Sequence, residues 1–212
     1  MLVVDLETVS ILYGMAEKAA PGRFPSYAPA HVLKAIELIS LGFNVGRQQL
    51  ASSLGIGEGA ARTIIRRLNG EGLIAIRRGG MTLTERGKEL LNLLYNRISV
   101  MELPSTGLTV GRFDYAVLVR GSEDKISSGV EQRDVALLAG ARGATTLVFR
   151  GKRFHLPRLE VEPSPVLAEK LIEGLNPDEG DVVIIGTGDR MLDAEIGSKS
   201  AALELLKIYN VL

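Results

Sequence analysis

Six arginines, Arg47, Arg62, Arg66, Arg67, Arg77 and Arg78, lie between Gly46 and Gly80, where only Glu58 and Glu71 oppose them. A guanidinium is always charged and presents a planar fork of donors, so such a cluster suits phosphates and bidentate acceptors on a polyanion. Spacing sharpens the reading. Ala61, Ile64, Ile65 and Leu68 recur at helical period and predict a buried stripe. Arg62 and Arg66 then stack one turn apart on the outward face, with Thr63 beside them and Arg67 at the edge. Arg77 and Arg78 precede the pair Gly79-Gly80 between two short β-prone runs, which predicts a hairpin with both arginines at its tip. A solvated helix face is the plain alternative for all six.

A second candidate lies in "VVIIGTGDRMLDAE", an apolar strand ending in Gly186-Thr187-Gly188-Asp189 before a helix. Backbone amides at such a loop attract anions. The dinucleotide fingerprint fails, because Met191 stands where its third glycine belongs, and no Walker lysine-serine pair follows. Thr187, Gly188 and Asp189 therefore suit a hydroxyl- or amine-bearing ligand, or else form a turn in which Asp189 caps the helix. Arg133 and Asp134, in the polar first turn of a helix entered from "SSGVEQRD", are the other residues expected to border a pocket. His31 and His155 are the only histidines and cysteine is absent, so no histidine triad, thiolate metal site or disulfide framework can be drawn. No catalytic residue, metal or cofactor is expected.

The elements that must position these groups follow from composition and pattern. At 212 residues and 46% hydrophobic, the chain can bury one or two modest cores. The formal net charge of zero hides an asymmetry: residues 1–98 hold 12 basic and 8 acidic side chains, residues 99–212 hold 13 and 17. One half is suited to a polyanion and the other is not. "MLVVDLET" meets Asp5 before a signal-peptide core can form, and no apolar run approaches the roughly 20 residues of a membrane span. The expected location is the cytoplasm, with no membrane partner. Amphipathic helices are predicted around Leu6–Ala16 and after Pro29, a short one in "VGRQQLASSLG", the arginine-bearing one from Gly57, and one from Thr84 through "ERGKELLNLLYNRI". Beyond "VMELPSTGLTVG" the runs "YAVLVR", "TTLVFR", "RFHLP" and "DVVIIG" alternate with helical stretches, with "RGKR" as a hairpin turn.

Helix, tight turn, helix, glycine-tipped hairpin and a helix beginning "LTERG" resemble the winged helix-turn-helix of prokaryotic transcription regulators over about residues 29–98. Ala51 and Gly55 fall at the small-residue positions of that pattern, and Leu50, Leu54, Ile56 and Ile64 at its core positions. The two-domain layout also resembles a group of uncharacterised archaeal proteins. The resemblance implies double-stranded DNA as partner. Arg62 and Arg66 would meet guanine edges in the major groove, Thr63 a phosphate or thymine methyl, and Arg77 and Arg78 phosphates or the minor groove, with Arg47 and Arg67 completing the basic surface.

The fold class expected is α+β: a winged-helix domain over 1–98, a linker over 99–110, and a small mixed α/β domain over 111–212. For the last, a ferredoxin-like sheet with an extra terminal helix and a three-layer α/β arrangement are the alternatives. The function expected is a DNA-binding transcription regulator whose second domain dimerises, senses a small-molecule effector, or both. A small-metabolite enzyme in the second domain is the competing reading. Leu93 and Tyr95, apolar but off the main helix face, point to a homodimer unless they pack within their own chain.

Overall fold

The computed structural model describes residues 2–17, 25–42, 45–159 and 161–207. They form two compact units that divide between Tyr95 and Asn96.

The first unit runs α1 (Leu2–Ala16), α2 (Pro29–Ser40), α3 (Arg47–Ser53), α4 (Glu58–Gly70), β1 (Ile74–Arg77), β2 (Gly80–Leu83) and α5 (Glu85–Tyr95). Leu12, Leu33, Ile36, Leu50, Leu54, Ile64 and Leu68 are fully buried in its core. The turn from α3 to α4 is a Schellman cap: Ile56 N donates to Ala51 O and Gly55 N to Ser52 O, with Gly55 at φ 63. The same device ends α4, where Leu73 N donates to Leu68 O across Gly72 at φ 67. Thr84 caps α5 by accepting from Gly87 N at 3.1 Å and donating to Gly72 O at 2.6 Å. The glycine of "LTERG" is set by packing, since a Cβ on Gly87 would stand 2.1 Å from the carbonyl oxygen of Leu73.

The β1–β2 hairpin departs from its predicted register. Arg77 pairs with Gly80, so the loop is Arg78-Gly79, one residue earlier than expected, and the positive φ of 134° falls on Gly80. Val45 adds a bridge to Met81 on the other side of β2.

The second unit holds β3 (Ile98–Leu103), β4 (Phe113–Val119), α6 (Val130–Leu138), β5 (Gly143–Arg150), β6 (Arg153–His155), α7 (Pro165–Leu175), β7 (Val182–Gly188) and α8 (Met191–Lys207). Its five-stranded sheet has the order β3-β4-β7-β5-β6, with every neighbouring pair antiparallel. β4 and β5 are therefore parallel, joined through α6 and split by β7. A ferredoxin-like sheet would place the second hairpin strand in that gap. Here β6 turns out to the edge and the last strand fills it, so the unit takes the three-layer alternative. Leu167, Leu171 and Leu175 of α7 pack with Ala116, Leu118, Val183 and Ile185 on one face. On the other, α8 lies against Gly186 and Gly188, where added Cβ atoms would come 2.4 Å from Ala194 O and 2.8 Å from Ala194 N. The β5–β6 turn is the predicted "RGKR", with Gly151 at φ 59 and Lys152 at φ 62, as a type I′ turn requires.

The stretch 99–110 is not a free linker. Residues through Leu103 pair with β4 as an edge strand, and the segment after them is tied down by Asp114. That fully buried carboxylate accepts from Thr106 N at 2.7 Å and Thr109 Oγ1 at 2.8 Å. Burying the carboxylate demands donors, and the threonine-rich segment supplies them.

Candidate nucleic-acid interface

The basic surface of the first unit is assembled from α3, α4 and the hairpin. On α4 the stripe Ala61, Ile64, Ile65 and Leu68 is buried as predicted, which turns Arg62 and Arg66 to solvent. Thr63 is half-buried, and its hydroxyl donates back to Gly59 O at 3.0 Å, leaving its lone pairs and methyl outward. Arg77 and Arg78 are exposed at the hairpin end. Arg47, in the first turn of α3, lies 3.8 Å from Glu58 with both side chains about half exposed. A pair so long and wet contributes little and leaves Arg47 able to meet another anion.

Arg67 belongs elsewhere. It sits one step further round α4, and its guanidinium donates to Met15 O and, at 2.9 Å, to Glu17 O. Tyr27 Oη also donates to Met15 O, at 3.0 Å. Burial pushes the Tyr27 hydroxyl pKa up, against the opposing pull of the neighbouring Arg67 and Arg66 charges. Carbonyls at a helix carboxyl end lack intrahelical donors, and Arg67 supplies them to α1, so its assignment to the basic outer surface is corrected.

One feature of this surface escaped the sequence reading, and a second, the glycine pair that opens the arginine-bearing helix, was legible in it. Ile76, 56% exposed on β1, sets an apolar side chain directly before the hairpin arginines. At the start of α4, Gly57 and Gly59 are exposed, and a Cβ at either would meet no atom within 4 Å. Nothing inside the domain requires glycine there.

The residues expected to border a pocket in the second unit are each held in contacts of their own. Thr187 is buried on β7, its hydroxyl accepting from Gly111 N at 2.9 Å and contacting Phe113 O at 3.3 Å. Gly188 is buried under α8. The glycines of "GTG" are the alternate residues of a strand against which a helix packs closely, so the expected amide loop is absent at these positions. Asp189 pairs with Arg142 at 3.1 Å on the surface. Arg133 and Asp134 pair with each other at 3.0 Å, both about half exposed. Asp181, also buried, is saturated by Arg120, Gly121 N and Asp178 N at 2.8, 2.8 and 2.9 Å. The buried Lys199 donates to Glu195 at 2.6 Å, with its ammonium 5.5 Å from the Tyr115 ring centre.

Leu93 is half-buried, and Tyr95 donates to Glu37 on α2 at 2.8 Å. Tyr95 is thus held within its own domain. His31 does not stand apart either: its Nδ1 accepts from Ala28 N at 3.1 Å at the start of α2, and burial lowers its pKa. Among the described residues no helix is long and apolar enough to cross a membrane.

Comparison with known proteins matches residues 30–98 to the CggR N-terminal DNA binding domain, and residues 110–205 to a domain of unknown function, DUF4443. Over 59 residues, 28% of this chain, the sequence is 42% identical to the central glycolytic genes regulator of Bacillus subtilis (strain 168). That alignment spans 17% of the regulator's own length. A hypothetical protein from Pyrococcus horikoshii OT3 shares the fold, with a TM-score of 0.71 and 25% identity over 88% of this chain and 96% of that one. The first domain is a winged helix-turn-helix, and the chain as a whole resembles an archaeal protein of unassigned function.

Proposed function

We propose that the protein is a DNA-binding transcription regulator, with α4 as the recognition helix, the β1–β2 hairpin as the wing, and the second unit as a sensing or dimerising domain. The observation that carries this reading is the exposure of Arg62, Arg66, Arg77 and Arg78 on one helix-turn-helix and its hairpin, in the segment that matches a DNA-binding domain. In the major groove, Arg62 and Arg66 reach guanine O6 and N7, and Thr63 offers its methyl to thymine. Arg47, Arg77 and Arg78 neutralise phosphates, while Ile76 packs against the sugar edge beside the wing.

Duplex binding measured by fluorescence anisotropy across a salt series tests this. Each neutralised phosphate contributes about −0.9 to the slope of log K against log salt, so Arg78→Ala lowers the slope by about that amount on every sequence. Arg62→Ala costs about 1 to 3 kcal/mol on a preferred site and blurs the preference. Failure of the intact protein to bind any genomic duplex at low salt overturns the reading.

A further inference from the structure

We infer that the second unit binds an amphiphilic organic anion, not at Asp189 but at the opposite end of β5. A cavity of about 500 Å³ opens there between the turn after Gly121, the end of β5 and the segment following β6. This volume falls within the roughly 300 to 1,000 Å³ of small-molecule sites. Its floor is apolar, from Ile126, Val148 and Leu156, and its rim is polar, from Arg150, Arg158, His155 and Glu123.

The rim groups differ in availability. Arg150 is ion-paired with Glu123, which also lines the cavity, so that pair is neutral overall and the net positive charge of the rim rests on Arg158. Arg158 is exposed and held at φ 61, a left-handed conformation that costs a non-glycine residue about 1 kcal/mol or more. His155 Nε2 lies 3.2 Å from the carbonyl oxygen of Arg150. A carbonyl only accepts, so Nε2 donates in this contact, which fixes the ring at the cavity rim. The exposed Arg158 guanidinium, whose charge is answered within the described residues only by the field of Glu131, stands above an apolar floor and suits a carboxylate or sulfonate on a hydrophobic body. A phosphate-rich sugar would leave the floor of Ile126, Val148 and Leu156 unmatched. This site deepens the sensing role proposed above and rests on it for its biological meaning, though the binding itself does not depend on DNA.

The probe is naphthaleneacetate, with its uncharged isostere naphthaleneacetamide, titrated by calorimetry into the full chain. The acid is expected to bind saturably, one per chain, at least about tenfold more tightly than the amide, as loss of a charge-assisted hydrogen bond implies. Arg158→Gln brings the acid down toward the level of the amide while melting and duplex affinity stay at wild type, and Arg150→Gln with Arg158→Gln brings it down to that level with duplex affinity unchanged. Asp189→Ala, at the far end of the sheet, leaves acid binding unchanged. Equal binding of acid and amide, wild-type binding by the double variant, or no binding up to about 10 mM overturns the site. Duplex binding retained without acid binding counts against this cavity alone, and acid binding retained without duplex binding counts against the DNA reading alone.

Discussion

Gly59→Ala separates a structural from a functional reason for the glycines at the start of α4. Gly59 is helical and exposed, and its added methyl would touch nothing within 4 Å. Alanine there reduces the backbone entropy lost on folding, worth up to about 1 kcal/mol in a helix interior and about 0.5 kcal/mol in a first turn. For a domain of this size that raises Tm by about 2 to 4 °C. The opposite effect is expected on DNA. If the amino end of α4 brings its amides against a phosphate or base edge, the methyl holds the duplex off. Losing one charge-assisted hydrogen bond costs about 1.5 to 3 kcal/mol, or about tenfold to a hundredfold in Kd. Gly70→Ala, at the other end of α4 and equally open, serves as control: more stable, with unchanged affinity. Thermal melts and anisotropy titrations on the same samples decide the matter. A Gly59→Ala variant that melts higher and binds as tightly as wild type would refute docking through the amino end of α4.

Three further outcomes follow from the first domain. Arg67→Ala is expected to lower stability by about 1 kcal/mol, since a partly exposed charged donor to the end of α1 is lost, while the salt slope of DNA binding stays at wild type; a reduced slope would return Arg67 to the DNA surface. His31, whose pKa burial lowers, is protonated more readily in the unfolded chain than in the folded one. Stability is therefore full above about pH 6.5 and declines as pH falls through the lower folded-state value, and His31→Gln, which keeps an acceptor for Ala28 N, flattens the decline in urea titrations across that range. A homodimer would set two copies of α4 about 34 to 36 Å apart and require an inverted-repeat site; light scattering that reads one chain per duplex on such a site rejects it.

The legibility of this chain in its sequence differed between its halves, for a physical reason. In the first domain each step is local: a 3.6-residue stripe, a glycine at a helix end, a threonine cap, a hairpin of two four-residue strands. Gly55 at its helix end and Thr84 as acceptor for Gly87 N act on neighbours within a few positions, so these roles can be read without knowing the fold. Arg67 could not be assigned that way, because its partners Met15 and Glu17 are more than 40 residues earlier in the chain, and the helix it faces is a tertiary matter. The signal that remained was its place at the edge of the outward face.

In the second domain the decisive contacts are nonlocal throughout. Gly186 and Gly188 look like a ligand loop in sequence because glycine tolerates both a loop and a close helix contact. Only the register of β7 between β4 and β5 and the seat of α8 upon it choose the second. The edge strand β3 was hidden because its residues between Ile98 and Leu103 are half-buried or, at Glu102, exposed, and include Ser99, a pattern that an edge tolerates and a central strand would not. The cavity below Arg158 had no signature at all, since its wall is drawn from residues 123 to 159 across a turn, a strand end and a left-handed corner. Yet the same topology gives it meaning. With β7 inserted between β4 and β5, the carboxyl end of β5 and the β5–β6 hairpin lie at the sheet edge, away from the glycine-packed end under α8. That end is closed by close packing, whereas the other is left open, polar-rimmed and apolar-floored. At the second, a cavity of about 500 Å³ has room for a ligand.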